Sequence, residues 1–205
     1  ISAYGPSGPG AVYAIELNSG AVRLFANVPD AGPDEHDSTG DYQPDNAAAD
    51  WVGKTSLGDI ELTSDASELL VMNLRDRRIH RYSVPDAQHL GSFAHGASSE
   101  AWSSDARPFG LGTSGDWVFH GVVNSAEASG EPNDLMGVVY ASRRDGSEMR
   151  QVATVDFDYD RGQHDRWQAW PQQSIVEWRV RSMPHPMLTD IAFDPSGRYL
   201  AATSN

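Results

Sequence analysis

The chain has 205 residues with 29 acidic and 15 basic side chains, which gives a net charge of −14, and it has no cysteine. Its 39% of hydrophobic residues is ordinary for a soluble protein, which excludes gross disorder, a collagen-like chain and a coiled coil. The negative charge repels phosphate backbones, so we expect no nucleic-acid partner. No apolar run approaches the roughly 18 residues of a membrane helix, so we expect no membrane insertion. Without cysteine, disulfides and thiolate chemistry are excluded.

Short apolar runs separated by turn residues dominate the chain, and they predict strands rather than helices. Residues 11–17 and 21–26 flank Asn18-Ser19-Gly20 and predict a β-hairpin, because Asn and Gly supply the positive φ of tight turns. Residues 30–50 are acidic and rich in turn formers, which is typical of a long surface loop. Four further runs, joined by short turns, cover residues 57–63, 68–74, 78–84 and 90–94.

This four-strand unit recurs along the chain. A second copy covers residues 108–155, and a third begins at residues 188–203, with Asp190 in the place of Asp59. Repeats of about 40–50 residues indicate propeller blades, with a β-sandwich as the alternative. We therefore predict an all-β fold, part of a β-propeller of about three blade equivalents built from four-stranded antiparallel blades.

The domain organisation follows from this count of strands. We expect residues 1–205 to be a partial propeller domain within a longer chain, with a processed or cut N-terminus because the sequence starts at Ile1. Long loop insertions are expected at about 30–56 and 156–187. The strands needed to complete the terminal blades would come from another segment or from a second copy, because unpaired edges invite pairing.

Polar residues fall at the ends of the predicted inner strands, which line the channel of a propeller and make its binding face. We predict that they form a channel-mouth site for a polar ligand or a cation. The set comprises Lys54, Asp59, Asn73, Arg107, Asn124, Glu127 and Asp190. The alternative is that these residues cap turns and link neighbouring blades by hydrogen bonds.

A possible metal site lies in the second insertion. Asp156, Asp158 and Asp160 alternate and would share one face of a strand, where a Ca²⁺ ion could bind them. The EF-hand pattern fails, because Gly162 is the seventh residue and Trp167 the twelfth. A solvated acidic strand end is the alternative reading.

Three tryptophans cluster in the same insertion. Trp167, Trp170 and Trp178 are candidate anchors for a protein partner, because aromatic side chains dominate interface energetics. The alternative is that they pack the insertion onto the propeller body.

Several strings resemble one family. They are residues 52–60 and 71–79, followed in order by 107–111, 121–127 and 186–194. The chain resembles, over about residues 10–200, bacterial exported or cell-surface β-propeller proteins that are often fused to Sdr-type B-like repeats. The resemblance implies a secreted or surface location and a module of a large chain, and it implies no particular activity.

Two functions are compatible with this sequence. The first is a non-enzymatic extracellular or cell-surface propeller module for protein binding or structural assembly, with a protein partner or further copies of itself and no cofactor. It fits the absence of nucleophile-elbow, phosphate-loop and dinucleotide motifs. The second is a Ca²⁺-dependent hydrolase of the lactonase or gluconolactonase type, by analogy of fold. Its calcium ligands would be Asp59, Asn73, Asn124, Glu127 and Asp190.

Overall fold

The structure is a computed structural model. It describes residues 7–35, 48, 50–159, 166–171, 185–194 and 199–204, and for 199–204 it describes the backbone alone. Two residues of the predicted sites, Asp160 and Trp178, lie outside the described residues.

The regular structure of the described residues is made of β-strands, together with short 3₁₀ turns at Gly96–Ser99, Ser103–Asp105 and Pro132–Asp134. The strands are β1 Ala11–Ile15, β2 Val22–Asn27, β3 Leu57–Leu62, β4 Glu68–Asn73, β5 Arg78–Ser83, β6 His89–Ala94, β7 Ala106–Ser114, β8 Trp117–Asn124, β9 Met136–Arg143, β10 Arg150–Asp156, β11 Met187–Phe193 and β12 Tyr199–Ser204. The all-β prediction is confirmed.

The strands form two whole blades between two hairpins. Blade 1 has the strand order β3-β4-β5-β6 and blade 2 the order β7-β8-β9-β10, whereas β1-β2 and β11-β12 are two-stranded sheets. Each pairing is antiparallel. Consecutive four-stranded meanders of this kind are propeller blades, which confirms the prediction of a partial β-propeller.

The first strands of successive sheets, β3, β7 and β11, lie side by side, as the inner strands of a propeller do. A Cβ atom on Gly110 of β7 would stand 2.7 Å from the backbone nitrogen of Asp190 on β11, so only glycine permits this approach of two blades. Each inner strand also carries a register shift in its first half: after Leu57 in β3, after Pro108 in β7 and after Leu188 in β11. Bulges increase local twist, which suits strands at the centre of a propeller.

The core consists of apolar layers between successive sheets. Leu70, Met72 and Ile79 of blade 1 pack against Leu111 and Val118 of blade 2. A corresponding layer joins blade 2 to β11, with Val123, Val139, Leu188 and Ile191 among its members. The middle strands β4, β5, β8 and β9 are therefore buried on both faces, whereas the outer strands β6 and β10 are largely exposed.

The two long connections run from β2 to β3 and from β10 to β11, where the sequence predicted insertions. Within the described residues, no helix has the length and apolar character needed to span a membrane.

Candidate functional site

One end of the blades collects the longest connections. In an antiparallel meander, the start of the first strand and the end of the second lie at the same edge. The connections that enter β3, β7 and β11 therefore share one face with those that leave β4 and β8. We call this face the channel mouth. Lys54 lies in the connection that enters β3, Glu127 in the connection that leaves β8, and Arg107 is the second residue of β7.

These three residues form a compact ion cluster. The Lys54 Nζ lies 2.6 Å from Glu127 Oε1. The Arg107 guanidinium donates through Nη2 to the other carboxylate oxygen of Glu127. Burial raises the pKa of Glu127, but the Lys54 hydrogen bond and the Arg107 charge outweigh burial, so the net pKa lies below its usual value. The Glu127 carboxylate is therefore ionised at neutral pH, and its two ion pairs join three separate segments.

Trp170 lies next to this ion cluster and is held by hydrogen bonds to two other segments. Its indole Nε1 donates to the Pro186 carbonyl at 3.3 Å, and its backbone N–H donates to the Ser125 carbonyl at 2.9 Å. The Arg107 guanidinium carbon lies 6.0 Å from the ring centroid, at the outer limit of a cation–π contact. Lys54 Nζ also donates to the carbonyl of Pro171 at 3.3 Å.

The described tryptophans of the insertion are buried in their own chain. Trp167 is 4% exposed and Trp170 is 6% exposed, and Trp167 packs against Phe157 with ring centroids 5.4 Å apart. This packing corresponds to the alternative in which the insertion folds onto the propeller body. Both rings are packed within their own chain in this structure, and the assignment of these two side chains as partner anchors stays a prediction.

Asp59 links two blades. Its Oδ2 accepts a hydrogen bond from the Leu111 backbone N–H at 2.8 Å, and its Oδ1 accepts from the Ile60 N–H at 2.8 Å. Burial raises the pKa of Asp59, the two N–H groups oppose that rise, and the nearby Asp190 adds to it. Burial and the charges of Asp59 and Asp190 likewise raise the pKa of Glu61. The carboxylates of β3 and β11 therefore influence each other across β7.

Asn73 and Asn124 are the last residues of β4 and β8, the second strands of the two blades. Each side-chain amide donates one hydrogen bond and accepts another. Asn73 donates through Nδ2 to the Pro29 carbonyl at 2.9 Å and accepts at Oδ1 from the Arg75 N–H at 2.9 Å. Asn124 donates to the Asp134 carbonyl at 2.9 Å and accepts from the Ala126 N–H at 3.1 Å. Asn124 thus holds the loop that follows β8, whereas Asn73 joins the turn after β4 to the β2–β3 connection.

No described set of side chains converges as a calcium site. Among the residues that the structure describes, no group of three or more His, Asp or Glu side chains could hold an ion. The proposed calcium ligands are instead separate: Glu127 is in the ion cluster, Asp59 is between blades, and the two Asn residues are in their turns. Asp156, the last residue of β10, and Asp158 are exposed, and Asp160 is not described. The calcium hypotheses stay predictions.

A pocket at the channel mouth is the feature that sequence reasoning missed. It encloses about 440 Å³ and is lined by apolar side chains from the β2–β3 connection and from the starts of the inner strands, with Asp34 and Glu35 among its lining residues. Val52 is 68% exposed there. Its apolar lining includes Trp51, Val52, Leu57, Phe109 and Met187. The only sequence signal was the pair Trp51-Val52 after an acidic loop.

Comparison with known proteins adds the following findings. No protein-family model matches the chain, and no curated protein sequence matches it. Among solved structures, a protein from Lactobacillus plantarum aligns with 95% of this chain and 50% of its own length, at 16% identity and a TM-score of 0.41. A protein from Bacteroides uniformis, named as a candidate 6-phosphogluconolactonase, aligns with 95% of this chain and 64% of its own length, at 17% identity and a TM-score of 0.34. The chain thus spans less than two thirds of either protein.

Proposed function

We propose that this chain is a non-enzymatic binding module and that its channel mouth binds a segment of a partner protein. The observation that carries the proposal is the contrast between the pocket and its surroundings. The charged and amide groups of the mouth are engaged within the protein, as in the Lys54–Glu127–Arg107 cluster. The adjoining pocket is apolar and presents Val52 to solvent. Such a surface binds by burying apolar groups rather than by acid–base chemistry.

The negative charge of the molecule indicates that the bound segment carries positive charge. The chain has a net charge of −14, and two acidic residues, Asp34 and Glu35, line the pocket. Opposite charge speeds association and disfavours acidic competitors. The expected ligand is therefore an extended segment with a large apolar side chain next to Lys or Arg. A secreted or cell-surface location is part of the proposal, and its support is the family resemblance of the sequence.

The test is a binding measurement with short fluorescent peptides, in which Leu or Phe is flanked by Lys or Arg. We expect Val52→Arg to weaken binding by about tenfold, because it removes apolar contact and repels the peptide; this loss corresponds to about 1.4 kcal/mol. Leu17→Arg is the matched control, because Leu17 is 94% exposed and lies at the β1–β2 turn, at the opposite end of the blades. Its affinity should equal that of the wild type.

The same preparation tests the hydrolase alternative. Lactone hydrolysis is measured with added Ca²⁺ and with a chelator, and we expect no difference between the two rates. A Ca²⁺-dependent rate, or equal peptide binding by wild type and Val52→Arg, would contradict the proposal.

A further inference from the structure

A pair of histidines lies on the third and fourth strands of blade 1. His80 of β5 and His89, the first residue of β6, face each other with 3.1 Å between His80 Nδ1 and His89 Nε2. His80 is 3% exposed, whereas His89 is exposed at the surface. Neither ring belongs to the ion cluster or to the pocket at the channel mouth, so the pair is a separate feature of the molecule.

A β-bulge places His89 on the same face of the sheet as His80. Tyr82 is two residues after His80, so the residue opposite Tyr82 on β6 shares the face of His80. The register of the first four pairs, if continued, would set Leu90 opposite Tyr82, but the bulge sets His89 there instead. A slip of one residue moves a side chain to the other face of a sheet, so the two rings meet only because of this bulge. Gly91 next to it has φ +117°, which glycine tolerates.

Asp76 fixes the orientation of the His80 ring. Its Oδ1 accepts a hydrogen bond from the Arg78 N–H at 2.9 Å, which holds the carboxylate in the turn between β4 and β5. Its Oδ2 lies 2.7 Å from His80 Nε2. Nε2 of a neutral His80 ring therefore carries the hydrogen, and Nδ1 presents its lone pair toward His89. A carboxylate behind an imidazole is the arrangement that orients metal-binding histidines.

The separation of the two facing nitrogens suits a single metal ion. Two nitrogens 3.1 Å apart, each about 2.05 Å from one ion, subtend an angle of about 98° at that ion. This angle lies between the values of tetragonal and tetrahedral sites. His89 is exposed, so its ring can turn to direct the lone pair to the ion. Imidazole is a ligand for Zn²⁺, Cu²⁺ and Ni²⁺, and the net charge of −14 attracts cations in general.

We propose that His80 Nδ1 and His89 Nε2 bind one transition-metal ion, with Zn²⁺ as the expected ion, and that Asp76 is the positioning residue behind His80. Zn²⁺ has no preferred angle from its d electrons, so it accepts the geometry that the bulge imposes. Water completes its coordination on the exposed side of His89. The ion joins β5 to β6 and stabilises the folded blade by mass action. This site is independent of the peptide site proposed at the channel mouth.

The first test is calorimetry with Zn²⁺ on tag-free protein at about pH 7.5, where an ordinary histidine is neutral. The chain has no cysteine, so no thiolate competes for the ion. We expect one Zn²⁺ per chain for the wild type and an affinity at least about tenfold lower for His89→Gln. His185→Gln is the matched control, because His185 lies beside Trp170, with ring centroids 6.2 Å apart. Its affinity should equal that of the wild type.

Two outcomes of this titration would overturn the proposal. One is a wild type that binds no Zn²⁺, and the other is an equal affinity for the wild type and His89→Gln. Because His89 is exposed, its substitution should leave the strand signal in circular dichroism unchanged, and this signal is recorded for each variant.

Asp76→Asn tests the positioning role of the carboxylate. Asparagine has the same shape but lacks the charge that makes His80 a stronger ligand. We expect the Zn²⁺ affinity to fall by about 10–100-fold, as is usual when the partner of a metal-binding histidine is removed. An unchanged affinity would contradict the role assigned to Asp76.

Nuclear magnetic resonance of the wild type, with ¹⁵N-labelled histidine, does not depend on how any variant folds. The chain has seven histidines, and Zn²⁺ should shift the ring nitrogen signals of two of them, His80 and His89. The His89→Gln spectrum identifies one of the two by its absence. A proton shared between the rings is the alternative occupant of the pair. It would move the same two signals with pH and leave them unchanged on addition of Zn²⁺, and that result would overturn the proposal.

Discussion

His120 and His95 lie buried beside blade 2, where charge is costly. His120 on β8 is 0% exposed and accepts a hydrogen bond at Nε2 from the Gly96 N–H at 2.9 Å, so the neutral ring is the form that fits. Burial, with the nearby His95, lowers the pKa of His120 to about 3. Burial, with the charge of Arg77, lowers the pKa of His95 to about 4. Both histidines must gain protons when the protein unfolds in mild acid.

We expect this proton uptake to destabilise the protein between about pH 6.5, the pKa of an unfolded histidine, and pH 4. Above pH 6.5 the stabilising contribution of a lowered histidine pKa is fully present, and it is lost as the pH falls. Each group changes the free energy of unfolding by at most about 1.4 kcal/mol per pH unit. His120→Gln keeps an acceptor for Gly96 but does not titrate. Urea unfolding at several pH values should show a shallower decline for this variant, and an unchanged slope would contradict the assignment.

One carboxylate contributes a hydrogen bond to the contact between the neighbouring strands β3 and β7. Asp59→Ala removes the acceptor of the Leu111 N–H, and Leu111 is 0% exposed. A buried N–H without a partner costs about 1–3 kcal/mol, and we expect a loss of that size in the free energy of unfolding. Asp190→Ala is the control, since Asp190 holds the same place in the repeat but is exposed. Its effect should stay within about 0.5 kcal/mol. Equal losses for both variants would contradict the assignment of the loss to the Asp59–Leu111 hydrogen bond.

The strands were predictable because their signals are local. An alternating run and its turn lie within about ten residues of each other, so β1–β2 and both blades could be found from pattern alone. The turn roles of Asn73 and Asn124 were open for the same reason, because an Asn after a strand favours both a capped turn and a ligand. Their hydrogen bonds to Pro29 and Asp134 resolve the structure of the turns, and no local pattern encodes such partners.

The site was less predictable because its parts are distant in sequence. Lys54 and Glu127 could be named as residues of the channel mouth, but their pairing across 73 positions depends on how blade 2 packs on blade 1. The pocket is built from residues at the starts of three inner strands and from the β2–β3 connection, which includes Trp51 and Val52. None of these residues is unusual on its own. Burial of Trp167 likewise depends on long-range packing against Phe157.

The excess of acidic residues acts on the molecule as a whole. The net charge is −14, so acidic side chains repel one another in the compact folded state. In the unfolded chain the same charges lie farther apart and repel one another less. Salt screens charges that are exposed more than charges that are buried, so it weakens this repulsion and leaves the Lys54–Glu127–Arg107 cluster largely intact. We therefore expect the thermal midpoint to rise by about 2–4 °C, or about 1 kcal/mol, between low and moderate NaCl.

The same measurement separates screening from specific binding of calcium. CaCl₂ is compared with NaCl and with tetramethylammonium chloride at equal ionic strength, because a general screening effect depends on ionic strength and not on the identity of the cation. Equal midpoints in NaCl and tetramethylammonium chloride would assign the stabilisation to screening. A further rise in CaCl₂ alone, reversed by a chelator, would show a calcium site, because a ligand that binds only the folded state stabilises it by mass action.

A triple variant, Asp156→Asn, Asp158→Asn and Asp160→Asn, then tests where the ion binds. If the acidic strand end holds the ion, this variant loses the additional rise of the thermal midpoint in CaCl₂. A fall of the midpoint with salt would instead mean that exposed ion pairs such as Arg144–Asp65 contribute more than the net repulsion costs.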